Sequence, residues 1–298
     1  MSSLPYNDYG TWIRSQFPFR VQKISIDAGF SCPNRDGRAG LGGCIYCDNR
    51  TFNPSYCNRK RSITEQLEDG KRFFARKYPD MKYLAYFQSF TGTHTVAADR
   101  LKALYEEAAA QPDIVGIVIG TRPDSLPAPI LDLLEDLNHN IPVIVEIGAE
   151  TSHDDTLRLI NRCHTWHDVE NAVGELSLRG IESGLHLIAG LPGEGSADIL
   201  TTVRRAIALP IAGLKIHQLQ IIKGTPLHRM WLDSKISLHQ FSVEEYLDLC
   251  VEIIREVGRK VAIERFLASA PPEMVVLPSW GLKNHEFTNL LQRRLQRQ

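Results

Sequence analysis

Apolar, β-branched stretches alternate along this chain with segments whose apolar residues recur at helical spacing. The strand-like stretches are Lys23–Asp27, Tyr83–Gln88, Val115–Gly120, Pro142–Ile147, Gly184–Ala189 and Leu214–Ile222. Amphipathic helices are predicted between them. Ser62 and Glu65 form a capping box for one, with Ile63, Leu67 and Phe74 on its inner face. Ala97–Ala110 carries Leu101, Leu104, Tyr105 and Ala108, and Ile130–Leu137 follows a Pro-rich turn. Thr165 and Asp168 open a helix with Val169, Val173 and Leu176, and Ser196 opens another with Ile199, Val203 and Ile207. Such βα alternation with short connections implies parallel strands and right-handed crossovers. Six units are too few for a closed eight-stranded barrel. The fold class is therefore α/β, a partial (β/α)6 TIM-like barrel.

The pattern changes after about Gly224. Ser242 and Glu245 open a helix with Leu247, Cys250, Ile254 and Val257 on one face, so Cys250 reads as core. A short strand, Val261–Arg265, and a basic amphipathic helix from about His285 complete an α/β extension. The expected division is 1–225 for the barrel with its N-terminal extension and 226–298 for the C-terminal extension, which is not read as an independent domain.

Composition narrows the class little. The 298 residues are 43% hydrophobic and 23% charged, ordinary for a globular protein. No apolar run approaches membrane-span length, and the first residues lack a secretory pattern, so no membrane partner is expected. With 34 basic and 35 acidic residues the net charge is −1, and no global field advertises nucleic acid. Two short basic runs, Arg59–Arg61 and Arg293, Arg294 and Arg297, are surface charge or local contacts for an RNA. Six cysteines in clustered spacing suit a reducing cytoplasm.

Three of those cysteines, Cys32, Cys44 and Cys47, fall in CPNRDGRAGLGGCIYC, directly after the first candidate strand. Three thiolates on a 4Fe–4S cluster leave one iron open, where S-adenosylmethionine (SAM) can chelate. The residues alone also allow a zinc site closed by Cys57, or plain buried thiols. Polar groups recur at the C-terminal ends of five strands, where barrel folds place their sites. They are Gln88 and Ser89; Thr121; Glu146 and Glu150; His186 with the glycines Gly190 and Gly193; and His217, Gln218 and Gln220.

The blocks DAGFSCPNRDG, GGCIYC, YFQSFTGT, IGTRPD, INRCHT, GLPGE, HQLQIIKGTP and LPSW resemble, in order, those of the radical SAM superfamily, specifically its Elongator-like branch. The resemblance implies a 4Fe–4S cluster held by Cys32, Cys44 and Cys47, and SAM as second cofactor. It implies Tyr46 beside the adenine, Gln88 and Ser89 at the SAM amino group, and Thr121 at the rim. Glu150 and Arg162 match a Gln and an Arg that hold SAM in the oxygen-independent coproporphyrinogen oxidase branch, with Arg162 on its carboxylate. His186, four residues before Gly190, matches a ribose-binding Asp. Some residues depart from the pattern. Glu150 is an acid that would repel the SAM carboxylate unless it is protonated or turned to Arg162. Cys163 stands where Gly is common and reads as a buried thiol, and Gly120 replaces a Glu. No acetyltransferase segment follows within these residues, so Elongator's full reaction is not implied. A flavodoxin or ferredoxin is the implied reductant, and a tRNA wobble uridine the implied substrate. The alternatives are a small metabolite or peptide and, in another class, a zinc-containing RNA-binding protein.

Overall fold

Alternation along each strand sends two kinds of side chain to opposite faces of one sheet. The structure is a computed structural model that describes residues 4–75, 80–94, 97–268 and 270–297. In chain order its elements begin with β1 (Asn7–Asp8), α1 (Tyr9–Gln16), β2 (Val21–Ile26), α2 (Ile63–Ala75), β3 (Lys82–Phe87), α3 (Ala98–Ala109) and β4 (Ile114–Thr121). The middle of the chain forms α4 (Ala128–Asn138), β5 (Val143–Glu150), α5 (Asp154–Leu159), α6 (Trp166–Leu178), β6 (Glu182–Ala189) and α7 (Ser196–Ala206). The rest forms β7 (Gly213–Gln218), β8 (Ile221–Ile222), α8 (Pro226–Leu232), α9 (Val243–Val257), β9 (Ala262–Arg265), β10 (Val275–Leu277) and α10 (Asn284–Gln296). Eight strands form one parallel, curled half-barrel sheet in the order β1-β9-β7-β6-β5-β4-β3-β2.

The outer face carries Ile24, Ala85, Ile119, Val145, Leu187 and Ile216, packed under α2, α3, α4, α6, α7 and α9 in the main core. The helices lie close. A Cβ on Gly70 of α2 would come within 2.2 Å of Ile24 Cγ2, so only glycine fits that contact. The inner face is covered at one end by α1, whose Ile13 and the following Phe17 pack on Leu84, Tyr86, Val118 and Ile144. Asp8 caps this helix, accepting from Thr11 N at 3.0 Å. The plug closes one end of the half-barrel and leaves the C-terminal strand ends open.

Two strand expectations change. Leu214–Ile222 is not one strand. It breaks after Gln218, and β8 leaves the sheet to pair antiparallel with β10. The short strand expected in the extension, Val261–Arg265, is β9, which continues the main sheet parallel to β7. β1 then adds at its outer edge. Beyond it, α10 is held by an aromatic cluster. Trp280 and Phe287 stack with rings 6.4 Å apart, and Tyr246 of α9 lies 5.6 Å from Phe287. Burying Phe287 and Leu291 contributes roughly 1.5–3 kcal/mol each, enough to dock a helix whose outer face is charged. Among the described residues no helix is long and apolar enough to cross a membrane.

Candidate active site

The segment between β2 and α2 folds over the open end of the half-barrel. Local turns shape it: Cys47 N donates to Cys44 O at 3.0 Å, and Arg35 N to Cys32 O at 2.8 Å. Asn161, just past α5, anchors it by donating to Gly43 O at 2.8 Å and Leu41 O at 3.1 Å. Ile45 N donates to Ile160 O at 3.1 Å. Under this cover lies a cavity of about 470 Å³. Cys32, Cys44 and Cys47 all line it, Cys44 buried and the other two half-buried. Burial and the neighbouring Cys44 push the Cys47 thiol up to about 11. Among the described residues no three His, Cys, Asp or Glu side chains stand in metal-holding geometry. Cys57 does not line the cavity. It sits beside Asp27 and Ser89, where burial and the Asp27 charge push its thiol up to about 12.

Arg162 occupies the opposite side of Cys44. Its guanidinium is buried, with Nη1 3.6 Å from Cys44 Sγ, and Nη2 2.5 Å from Gly148 O and 3.2 Å from Glu150 Oε1. Nε has no partner. Burial alone would lower the guanidinium, but Glu150, Cys44 and Tyr46 together raise it, so it stays charged. Glu150 is thus turned to Arg162, one of the two arrangements under which an acid is tolerable there. A Cβ at Gly148 would stand 2.5 Å from Arg162 Nη2 and 2.8 Å from Glu150 Oε1, so a larger residue there would push this pair out of its present position. The Arg162 carbonyl accepts from Arg122 Nη2 at 2.8 Å, and Arg122 is itself fixed bidentately by Asp124 at 2.7 and 2.8 Å.

Glu150 (φ +67°), Asn161 (φ +56°) and Cys163 (φ +59°) hold left-handed backbone, which side chains other than glycine rarely adopt. That conformation is the reason a glycine suits position 163. Cys163 is also exposed rather than buried, its thiol donating to Asn34 Oδ1 at 3.2 Å.

The other expected residues divide. Tyr46, Gln88, Thr121 and His186 line the cavity. Gln88 Oε1 accepts from Ser25 Oγ at 3.2 Å, and Thr121 Oγ1 lies 2.5 Å from Thr93 Oγ1. Burial, Glu150 and Cys44 raise the Tyr46 phenol well above its usual range, so it stays neutral. Ser89 is not on the wall; it is 1% exposed and donates to Asn53 Oδ1 at 2.8 Å. Gly190 also misses the cavity. Its Cα faces Phe241 and the His239 carbonyl in a separate small pocket, with φ +82° serving the turn.

A charged belt crosses the barrel beneath the cavity and reaches its wall through Glu146, Tyr86 and His186. Glu146 accepts from Lys23 Nζ (2.5 Å), Tyr86 OH (2.5 Å), Lys215 Nζ (2.7 Å) and His186 Nε2 (2.8 Å). Glu264 pairs with Lys23 at 2.7 Å and Lys215 at 3.1 Å. Burial alone would raise the Glu146 carboxyl, but Lys215, Lys23 and His186 hold it well below the usual range. Because a carboxylate only accepts, His186 carries its proton on Nε2. Sequence reasoning singled out Glu146, His186 and His217 but missed Lys23, Tyr86, Lys215, Glu264 and Arg265. The available signal was a lysine in the middle of each of two strands, VQKISI and GLKIHQ.

The radical SAM superfamily profile matches residues 34–206, and the Radical_SAM C-terminal domain profile matches residues 211–297. Protein YhcC of Escherichia coli (strain K12) is 36% identical over 275 residues, covering 92% of this chain and 87% of its own. The tRNA uridine(34) acetyltransferase of Dehalococcoides mccartyi is 27% identical over 201 residues, 66% of this chain and 42% of its own length. The solved structure of Elp3 from the archaeon Methanocaldococcus infernus superposes with a TM-score of 0.65 at 15% identity. It covers 93% of this chain and 63% of that one, a likeness of fold. With the superfamily profile spanning more than half its residues and the Escherichia coli relative aligned along nearly all of it, the chain belongs to the radical SAM superfamily.

Proposed function

We propose that this enzyme holds a 4Fe–4S cluster on Cys32, Cys44 and Cys47 and binds SAM in the same cavity, beside Cys44 and the Glu150–Arg162 pair. One observation carries the reading: the three cysteines share a wall with a buried guanidinium directed at Cys44, while Cys57 lies elsewhere. The donor set suits the group. Three thiol sulfurs leave one iron of a cluster open, and the unpartnered Arg162 Nε is a donor without an acceptor. Held by Cys32, Cys44 and Cys47 and supplied with an electron by a flavodoxin or ferredoxin, such a cluster would provide the reductive cleavage of SAM that starts radical chemistry on a substrate.

The chain's own residues position the ligand. Arg162 offers its guanidinium to the SAM carboxylate, and Glu150 offers a carboxylate to the SAM ammonium. Tyr46 lines the same cavity, and the family resemblance sets its backbone beside the adenine. His186 has spent Nε2 on Glu146 and keeps only Nδ1 for a ligand, which weakens its reading as a ribose holder. All six cysteines are free, which suits a reducing cytoplasm.

For substrate, the name of the Dehalococcoides relative supports a tRNA nucleotide. The basic residues read for RNA are partly engaged elsewhere. Arg61 pairs with Asp69 and Glu65, and Arg294 with Asp248 and Glu244. That engagement supports the second reading, a small molecule held in the cavity.

Iron and sulfide content of anaerobically prepared variants tests the ligand set. Cys44→Ala should lose the cluster, and Cys57→Ala should keep the wild-type content. Equal loss in both would replace the open-iron site by a four-cysteine one.

A further inference from the structure

At and beneath the cavity floor three basic side chains meet two acids, and burial lowers Lys215 against the opposing pull of Glu146 and Glu264. Lys23, Lys215 and Arg265 face two carboxylates, Glu146 and Glu264, and both carboxylates are taken by the two lysines. Neither imidazole alters that balance at neutral pH. Burial, Arg265 and His186 hold His217 well below its usual range, and burial and Lys215 hold His186 below its own. Among the described residues no acid pairs with Arg265. Its one partner is His217, whose Nε2 accepts from Arg265 Nε at 3.0 Å. A neutral imidazole that accepts on Nε2 carries its proton on Nδ1, so His217 is itself a donor. Gln218 is fixed by Ala268 N, which donates to its Oε1 at 2.9 Å, so its amide nitrogen is left to donate. Arg265, His217 and Gln218 all line the cavity. A half-buried cation beside donors and without a counter-ion is costly unless a ligand supplies the negative charge.

We propose that Arg265, oriented by His217, forms a subsite for an anionic group of the substrate, a carboxylate or a phosphate. The subsite lies on β7 and β9, apart from the Arg162–Glu150 pair, whose charges balance. This inference rests on the cavity being the reaction chamber, and it makes the substrate an anion.

Thermal unfolding in sodium phosphate, sodium malonate and sodium chloride at equal ionic strength reads the subsite directly. One of the two test anions should raise Tm above chloride; which one distinguishes phosphate from carboxylate. Arg265→Gln should weaken the apparent affinity for that anion about tenfold or more, and Arg265→Lys by less. Unfolding in chloride checks that both variants fold. SAM affinity of the cluster-loaded protein, measured by anaerobic equilibrium dialysis, should be unchanged in Arg265→Gln and should fall about ten- to a hundredfold in Arg162→Ala. The proposal is overturned if neither anion stabilises the wild type, or if Arg265→Gln keeps the full shift. It is equally overturned if that variant loses SAM affinity, because the bound anion would then be SAM itself. Unchanged SAM affinity in Arg162→Ala would instead remove the Arg162 assignment and leave the anion subsite standing.

Discussion

Glu146→Gln is the sharpest perturbation of the belt. The side chain is 6% exposed and accepts four hydrogen bonds, two of them from lysines. The amide keeps the shape but removes the charge. Two lysines then share only Glu264, and one buried lysine is left without an acid of its own. Removing one partner of a buried ion pair costs about 3–5 kcal/mol, against about 0–1 for an exposed pair. At roughly 2 °C per kcal/mol for a chain of this size, Tm should fall by about 6–10 °C. Asp155→Asn, which breaks the exposed pair with Arg158, should leave Tm within about 2 °C. Adding Lys215→Met to Glu146→Gln restores the native charge balance, so the double variant should recover at least about 2 °C of the loss. Thermal unfolding followed by circular dichroism is sufficient. If Glu146→Gln costs no more than Asp155→Asn, or if the second substitution adds its own full loss, the belt is not an electrostatically coupled unit.

Acid should destabilise the fold earlier than carboxylate titration alone explains. His186 and His217 have depressed folded pKa values, and burial with Arg162 lowers His164 to about 2. The unfolded chain protonates these imidazoles near pH 6.5 and the folded chain does not. Their stabilisation is therefore complete above that pH and is lost as pH falls, by up to about 1.4 kcal/mol per pH unit per group. Urea unfolding at pH 7.5, 6 and 5 should show the decline, and His217→Asn should flatten it; a flat wild-type profile contradicts the neutral assignments. For RNA, of the three arginines at the end of the chain Arg293 and Arg297 are exposed, while Arg294 grips Asp248 and Glu244. If the tail holds tRNA, Arg293→Gln with Arg297→Gln should weaken binding and reduce the salt slope by up to about 1.8. An unchanged slope removes the tail from any RNA contact.

The strands and most helices were legible because their apolar residues repeat at periods of two and 3.6, and Ser242 with Glu245 marks a helix start that the structure reproduces. The position of the cysteine segment above the strand ends was legible from chain order alone. The belt was not. Alternation tells which face Lys23 and Glu264 share, but they are 241 residues apart and meet only because the sheet curls until β2 approaches β9. A two-residue polar strand such as β1 leaves no pattern to read. Gly190 shows the opposite limit. Its positive φ was foreseeable from a Gly-Leu-Pro-Gly turn, but which side of the strand that turn exposes depends on Phe241, far along the chain. The exposure of Cys163 follows from a left-handed bend, which no sequence period reports.

The belt also explains why the barrel is not simply filled with aliphatic residues. Below it, α1 seals the interior with Ile13 and Phe17, and an apolar layer could have continued to the cavity floor. Buried ion pairs are no more stabilising than well-packed hydrophobes, so stability does not account for four charged side chains meeting there. What charges provide and aliphatic residues do not is direction. Glu146 fixes the hydroxyl of Tyr86 and the proton of His186, and Lys23 bridges to Glu264 where β2 and β9 share no backbone pairing. Glu264 immediately precedes Arg265 on β9, so the same side-chain bridge that ties β2 to β9 across the half-barrel also sets the height at which Arg265 enters the cavity. Closure of the half-barrel and placement of its unpaired cation are thus one structural decision, made by two lysines and two glutamates.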